Sequence, residues 1–236
     1  GTINTAAGDP GRDFYGDGGP ATQARLRNPR DVAVDEKGNL YIADNSQGRR
    51  IRKVDAGTGT ISTLPIWCRG ILSGIAIHPS GHICFTQTGW FSSIGPPEGE
   101  RTLSCLDPAS GVQTLIAGQW YPGGAGDGGP ASGALFETPE SLAIDADGDI
   151  FVADYRRIRR IDARTGIIQS VAGDPSATQL GDGGPAIQAS LLGPTGVAVD
   201  AHGNLFIGES GRGRVRRVDA ATGIITTVAG NGTVGV

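Results

Sequence analysis

Methionine is absent from this chain, histidine and cysteine occur three times each, and aromatic residues make up only 6% of it. The histidines (His78, His82, His202) all fall in or beside turns, and none is spaced to share a metal with another histidine or a cysteine. No metal and no cofactor is therefore expected. No apolar run approaches the roughly 18 residues that cross a bilayer, and no basic-then-apolar leader opens the chain. Neither sign of charge dominates: 20 Lys and Arg stand against 24 Asp and Glu, a formal charge of −4. Such a balance gives no overall field to draw nucleic acid or an anionic membrane, so neither is an expected partner. Lacking Met and starting at Gly1 inside a repeat, the chain reads as a mature or excised segment, with any signal peptide outside it. Cys68, Cys84 and Cys105 allow at most one disulfide and leave a thiol over. That fits a secreted protein and a set of buried thiols alike.

What the chain has in quantity is glycine, 40 of 236 residues, with 14 prolines. They fall at fixed offsets between apolar runs, which is turn chemistry in an all-β chain and not low complexity. Gly16-Asp17-Gly18-Gly19-Pro20-Ala21 returns as Gly126-Asp127-Gly128-Gly129-Pro130-Ala131 and as Gly181-Asp182-Gly183-Gly184-Pro185-Ala186. The copies are 110 and 55 positions apart, so one is missing from its place near residue 72. A period of this length signals a propeller, a solenoid or an array, and a sustained repeat favours one quasi-symmetric domain over residues 1–236.

Each repeat reads as four short strands, a to d, bounded by Gly or Asp and rich in β-branched residues. In the fourth repeat these are Thr195–Asp200, Asn204–Gly208, Arg214–Asp219 and Gly223–Gly230. Four complete sets are expected, at approximately 30–64, 73–118, 140–173 and 195–230, with an extra d strand at 1–8. Strand faces are apolar or small on both sides, as in sheets covered on both faces. Four-stranded antiparallel units at this spacing are propeller blades. The predicted fold is thus an all-β propeller of four complete blades, with short helical turns after Pro20, Pro130 and Pro185 in the d-to-a connectors.

Strands a to c, as in Gly196-Val-Ala-Val-Asp200 through Arg214-Val-Arg-Arg-Val-Asp219, resemble the NHL repeat. The longer unit with the Gly-Asp-Gly-Gly-Pro-Ala connector is similar to bacterial extracellular NHL propellers and to the propeller of the teneurin cell-surface proteins. The resemblance covers nearly the whole chain. It implies a binding platform or scaffold and, in some relatives, an enzyme, and it implies a secreted or cell-surface location. Propeller lyases that act on peptidyl-hydroxyglycine rely on a metal and His ligands, and no such constellation occurs here. Relatives usually carry more than four blades, so an unpaired terminal blade edge is a possible self-association site.

Several candidate chemistries have structural readings. Asp145-Ala-Asp147-Gly-Asp149 begins like a calcium loop, but Ile150 and Arg156 stand where the loop needs Gly and a carboxylate. It is expected to be an a-to-b turn. Asp17, Asp127 and Asp182 are expected to satisfy backbone N–H groups of their own loops. The arginines opening strand c (Arg49, Arg50, Arg52; Arg156, Arg157, Arg159, Arg160; Arg212, Arg214, Arg216, Arg217) follow a carboxylate at the end of strand b (Asp44, Asp154, Glu209). Ion pairs between neighbouring strands explain them without a ligand.

Blade topology puts the d-to-a connections and b-to-c loops on one face of the disc. All three tryptophans fall there, Trp67 and Trp120 in connectors and Trp90 in a loop, joined by Phe91, Tyr121 and Tyr15. These six residues are the candidate binding site, because Trp, Tyr and long loops on a rigid frame are where binding energy concentrates. The competing expectation is that the rings pack under their own loops. The second repeat concentrates the signal, since it lost its connector in favour of Ile66-Trp67-Cys68-Arg69 and contains all three cysteines. The sequence-based expectation is a non-catalytic propeller that binds another protein through this face. Its alternatives are a lyase or hydrolase with a central-channel site and a glycan-binding propeller.

Overall fold

The structure, a computed structural model, describes residues 1–9, 16–45, 48–89 and 100–233. Among these residues sixteen strands form four antiparallel sheets of four, each paired in simple chain order. The first blade is β1 (Pro29–Val34), β2 (Leu40–Asp44), β3 (Arg50–Val54) and β4 (Ile61–Thr63). The second is β5 (Ile71–Ile77), β6 (Ile83–Thr88), β7 (Arg101–Leu106) and β8 (Gln113–Gln119). The third is β9 (Pro139–Ile144), β10 (Ile150–Asp154), β11 (Arg157–Ile161) and β12 (Ile168–Ala172). The fourth is β13 (Pro194–Val199), β14 (Leu205–Glu209), β15 (Arg214–Val218) and β16 (Ile225–Ala229). Three connectors carry a single 3-10 turn, at Ala21–Gln23, Ala131–Gly133 and Ala186–Gln188.

The turns follow from their residues. At a-to-b turns an Asp carboxylate accepts the N–H groups two and four positions on: Asp35 from Lys37 and Asn39, Asp145 from Asp147 and Asp149, Asp200 from His202 and Asn204. The run Asp145 to Asp149 is thus a hairpin turn, as read from its failed match to a calcium loop. At c-to-d turns Asp55, Asp162 and Asp219 accept from the backbone N–H and hydroxyl of Thr58, Thr165 and Thr222. These hydrogen bonds to the charged form hold all three carboxyls below their ordinary value.

The innermost strands β1, β5, β9 and β13 pack side by side in that order. Between adjacent blades lies a buried apolar layer: Tyr41, Ala43 and Ile51 of the first blade meet Ile75, Ile83 and Phe85 of the second. Leu103 meets Leu142 and Val152, and Phe151 and Ile158 meet Val197 and Ile207. The same strand-a position is 3% exposed at Ile75, 5% at Leu142 and 9% at Val197, but 55% at Val32. Val32 and Val34 face the side on which no described blade precedes the first. Val215 and Val228 are likewise exposed on the far side of the fourth.

Residues 1–8 do not form the expected extra strand. In every blade strand d is held by the c strand before it, and none of the described residues offers this segment such a partner. It is tied instead by Gly8 N–H to Ala21 O and Asp9 N–H to Ala24 O.

The repeated connector does more than turn the chain. Each copy lies along the outer edge of the next blade's d strand, through antiparallel bridges Pro20 to Thr60, Pro130 to Ile167 and Pro185 to Ile224. Gly18 donates to Ile61 O and Ile61 to Gly19 O, and the same pair recurs with Ile168 and Ile225. Its first glycine is required: a Cβ on Gly16, Gly126 or Gly181 would lie 2.7, 2.7 or 2.8 Å from the Cα of Ala24, Ala134 or Ala189, and all three have positive φ.

The connector aspartates take a role the sequence reading did not assign them. Asp17, Asp127 and Asp182 pair at 2.6 Å with Arg52, Arg159 and Arg216, each a fully buried side chain of strand c. The expected hydrogen bonds to their own loops are not found among the described residues; the one backbone N–H taken is that of Ser170 on β12, by Asp127. The expected strand-b pairs are there as well, Arg159 with Asp154 at 3.6 Å and Arg216 with Glu209 at 3.1 Å. Those strand-b acids also accept connector N–H groups: Asp44 from Asn28, Asp154 from Glu137 and Thr138, Glu209 from Leu192. Burial pushes the Asp127 carboxyl up, but the Ser170 hydrogen bond and the Arg159 and Arg157 guanidiniums outweigh it and hold it below the ordinary value. Burial dominates at Asp154, which lies above it.

Two outcomes follow. Arg159→Ser strands Asp154 in the interior and should cost about 3–5 kcal/mol, while adding Asp154→Asn should return part of that loss, as a double-mutant cycle by urea denaturation would show. The lowered aspartates stabilise the fold above their ordinary pKa of 3.8 and lose that contribution as pH falls through their lower folded values. Asp154, raised by burial, works in the opposite sense. The melting temperature should therefore hold between about pH 7 and pH 5 and fall steeply below about pH 4.

Candidate functional site

The second blade departs from the other three at each of these positions. Strand register places Ser104 opposite Phe85, where Arg52, Arg159 and Arg216 stand opposite Ile42, Val152 and Ile207. Gln87 takes the place of Asp44, Asp154 and Glu209 at the end of strand b. It keeps the carboxylate's structural task in neutral form: Gln87 Oε1 accepts the N–H groups of Arg69 (3.0 Å) and Gly70 (3.2 Å), and Gln87 Nε2 donates to Thr102 Oγ1. No buried guanidinium at position 104 needs a connector carboxylate, and the chain supplies none.

Without that connector, the outer edge of β8 has a different neighbour. Where Ile61, Ile168 and Ile225 bond to connector glycines, β8 has Gln113, whose side-chain amide takes Trp67 N–H at 2.7 Å and donates to Trp67 O at 3.0 Å. Trp67 is thereby fixed beside the strand. A cleft of about 440 Å3 remains, lined by Trp67, Gln113, Leu115, Ser104, Trp120 and Tyr121 among others.

Trp67 is 65% exposed, Trp120 47% and Tyr121 73%. The Arg69 guanidinium lies 5.2 Å from the Trp67 ring and 5.4 Å from the Trp120 ring, within cation–π range of both. It joins two connectors that the sequence separates by more than 50 positions. Three of the six predicted site residues, Trp67, Trp120 and Tyr121, are thus brought to one cleft, with rings open to solvent. Trp90, Phe91 and Tyr15 lie outside the described residues. Sequence reasoning passed over Arg69, Gln113 and Leu115. The signal that could have found them was their place around the missing connector.

Cys84 and Cys105 form a disulfide between directly opposed positions of β6 and β7. Cys68 is the free thiol, pushed up to about 12 by burial, so it stays protonated and unreactive. One bridge with one thiol left over is the larger of the two counts that the sequence allowed. A second cleft of about 400 Å3 lies among the a-to-b turns, lined by Val34, Asp35, Tyr41, Lys53 and His78. Burial and the Asp35 carboxylate that accepts its hydroxyl push Tyr41 up to about 12, which makes it a fixed hydrogen-bond donor.

Comparison with known proteins agrees with this architecture. The family model described as the Teneurin NHL domain matches residues 8–83 and 174–234, more than half of the chain. Mouse Teneurin-4 is 30% identical over 242 aligned positions, and human Teneurin-1 is 28% identical over 232. The alignments take in 85% and 86% of this chain, which spans only 8% of the length of either relative. Among solved structures, an auxiliary nutrient binding protein from Bacteroides ovatus superposes with a TM-score of 0.60 at 13% identity, over 90% of this chain and 45% of that one. At that identity the likeness is one of fold.

The disulfide closes a separation of 21 residues. Its reduction should lower the unfolding free energy by about 3 kcal/mol, seen as a lower urea midpoint in reductant. Cys68→Ser should leave that shift unchanged.

Proposed function

This chain belongs to the teneurin NHL domain family, and we propose that it is a non-catalytic binding domain that engages another protein through the connector face of its second blade. The observation that carries this reading is the open cleft between Trp67 and Trp120, with Arg69 stacked between their rings. Leaving three large aromatic rings in water forgoes about 25 cal/mol for each Å2 that burial would have removed. A partner recovers that energy, and Trp, Tyr and Arg are the side chains that dominate such interfaces. Flanking amides and hydroxyls, Gln113, Gln119, Thr102 and Ser104, supply directional contacts around the apolar walls. Trp90, Phe91 and Tyr15 are assigned to the same face on blade topology alone.

A secreted or cell-surface setting goes with this function. The Cys84–Cys105 bridge persists in oxidising compartments. Asn231-Gly232-Thr233 is an exposed glycosylation acceptor pattern, which has meaning in the same setting.

Binding of the labelled chain to intact cells tests the proposal. Trp67→Ala and Trp120→Ala should each weaken binding about tenfold or more with little change in melting temperature, because both rings are exposed. Pretreating the cells with protease should abolish binding. Binding that survives protease but not glycosidase would identify a glycan ligand instead, and binding indifferent to both substitutions would overturn the site. Sedimentation in solution separates this from self-association, which should be insensitive to Trp67.

A further inference from the structure

We propose that the outer edge of β8 accepts an extended strand from the partner protein, in the place the chain's own Gly-Asp-Gly-Gly-Pro-Ala connectors take on the other three blades. The inference rests on the binding reading above and gives it a mode of recognition.

Three internal examples show what this edge does in a blade of this design. Gly18 and Gly19 hold both backbone groups of Ile61, Gly128 and Gly129 those of Ile168, and Gly183 and Gly184 those of Ile225. One register step along, Asp127 accepts Ser170 N–H. Gln113 and Leu115 occupy the corresponding positions of β8, and among the described residues no connector segment pairs with them. Gln113 reaches Trp67 only with its side chain. Leu115 is 55% exposed, Val112 59%, and β8 carries no charged residue. An unpaired, uncharged edge with exposed apolar side chains is a template for strand addition.

The space beside the edge fits an added strand. Ser104 stands where the other blades carry Arg52, Arg159 and Arg216, and it lines the cleft of about 440 Å3 that runs from Gln113 and Leu115 to Gln119 and Trp120. Main-chain pairing with β8 would supply affinity, and alternate side chains of the guest would meet Trp67 and Trp120. The guest's chemistry follows from what is missing. No guanidinium stands at position 104, so the guest needs no acid there, unlike the connectors. It is a neutral, extended segment with small residues, running antiparallel to β8 as the connectors do on their blades.

The probe is a synthetic eleven-residue peptide with the sequence of residues 125–135 and Asn in place of its Asp127. At low-millimolar peptide, the backbone amide resonances of Gln113 and Leu115 should shift, and their hydrogen exchange should slow about tenfold. A nitroxide on the peptide's N-terminus should broaden Ala117 to Gln119 and spare Val112 and Gln113, as antiparallel pairing demands. Leu115→Pro, which deletes the edge N–H, should weaken the peptide about tenfold, and Leu115→Ala should not. Absence of the amide shifts, or broadening at the opposite end, overturns strand addition in the unmodified chain whether or not the proline variant folds. If Trp67→Ala abolishes cell binding while a folded Leu115→Pro retains it, the binding face stands and strand addition fails. Loss of neither points to failure of the face itself.

Discussion

Three of the four fully buried arginines among the described residues govern how this chain joins one blade to the next. Arg52, Arg159 and Arg216 are fully excluded from solvent, and a guanidinium cannot shed its charge to relieve that burial. Each is therefore met by a carboxylate from the preceding connector, and Arg159 and Arg216 also by one from the adjacent strand. The strand acids extend the link further, since Asp154 and Glu209 accept N–H groups from the stretch that leads into the blade. A charge inside one sheet thus fixes the path of the chain between sheets. Ion networks of this kind give weak evidence for net stability, because desolvation offsets much of the attraction. What they impose is a connector path, since any other leaves each of these guanidiniums short of the connector carboxylate at 2.6 Å.

Much of this was legible in the sequence because the repeat is nearly literal. Apolar positions two apart, bounded by Gly and Asp, placed the four strands of the fourth blade to within two residues, and the family followed from the repeat. Pairing of strand-c arginines with strand-b acids was also readable, because antiparallel register sets the last residue of b against the first of c. The Asp17, Asp127 and Asp182 pairs were not. They join residues more than 30 positions apart, and nothing local in a Gly-rich loop reveals that its carboxylate reaches into the next blade. The extra strand expected at 1–8 failed for a related reason: residues 1–8 match a d strand in pattern, but a strand exists only when a partner edge is present.

The candidate site is the place where the same logic is relaxed. Replacing the guanidinium with Ser104 and the carboxylate with Gln87 removes both charges together, which avoids the cost of an unpaired one. A short link from Leu64 to Gly70 then suffices, and it brings Trp67 and Arg69 beside Trp120. The sequence already set Trp67 where the connector is missing, but it left Trp120 and the outer edge of strand d as separate facts. Their relation became visible only in three dimensions, where the absent segment turns out to be the one that would have covered the wall now lined by the rings.

Losing a connector ought to loosen a blade, and the second blade carries the compensating feature. Its b and c strands are cross-linked by Cys84 and Cys105, at the pair next to Phe85 and Ser104. In the other blades the arginine ties strand c to the connector through charge, and in the third and fourth to strand b as well; here a covalent bond makes the b-to-c link and leaves the connector side open. Gln87 and Gln113 restore two backbone attachments with neutral amides. The frame of the blade is kept, and the edge of its long d strand stays accessible. A rigid sheet with one uncovered edge beside exposed rings loses little order on binding, which is the condition under which modest contacts yield useful affinity.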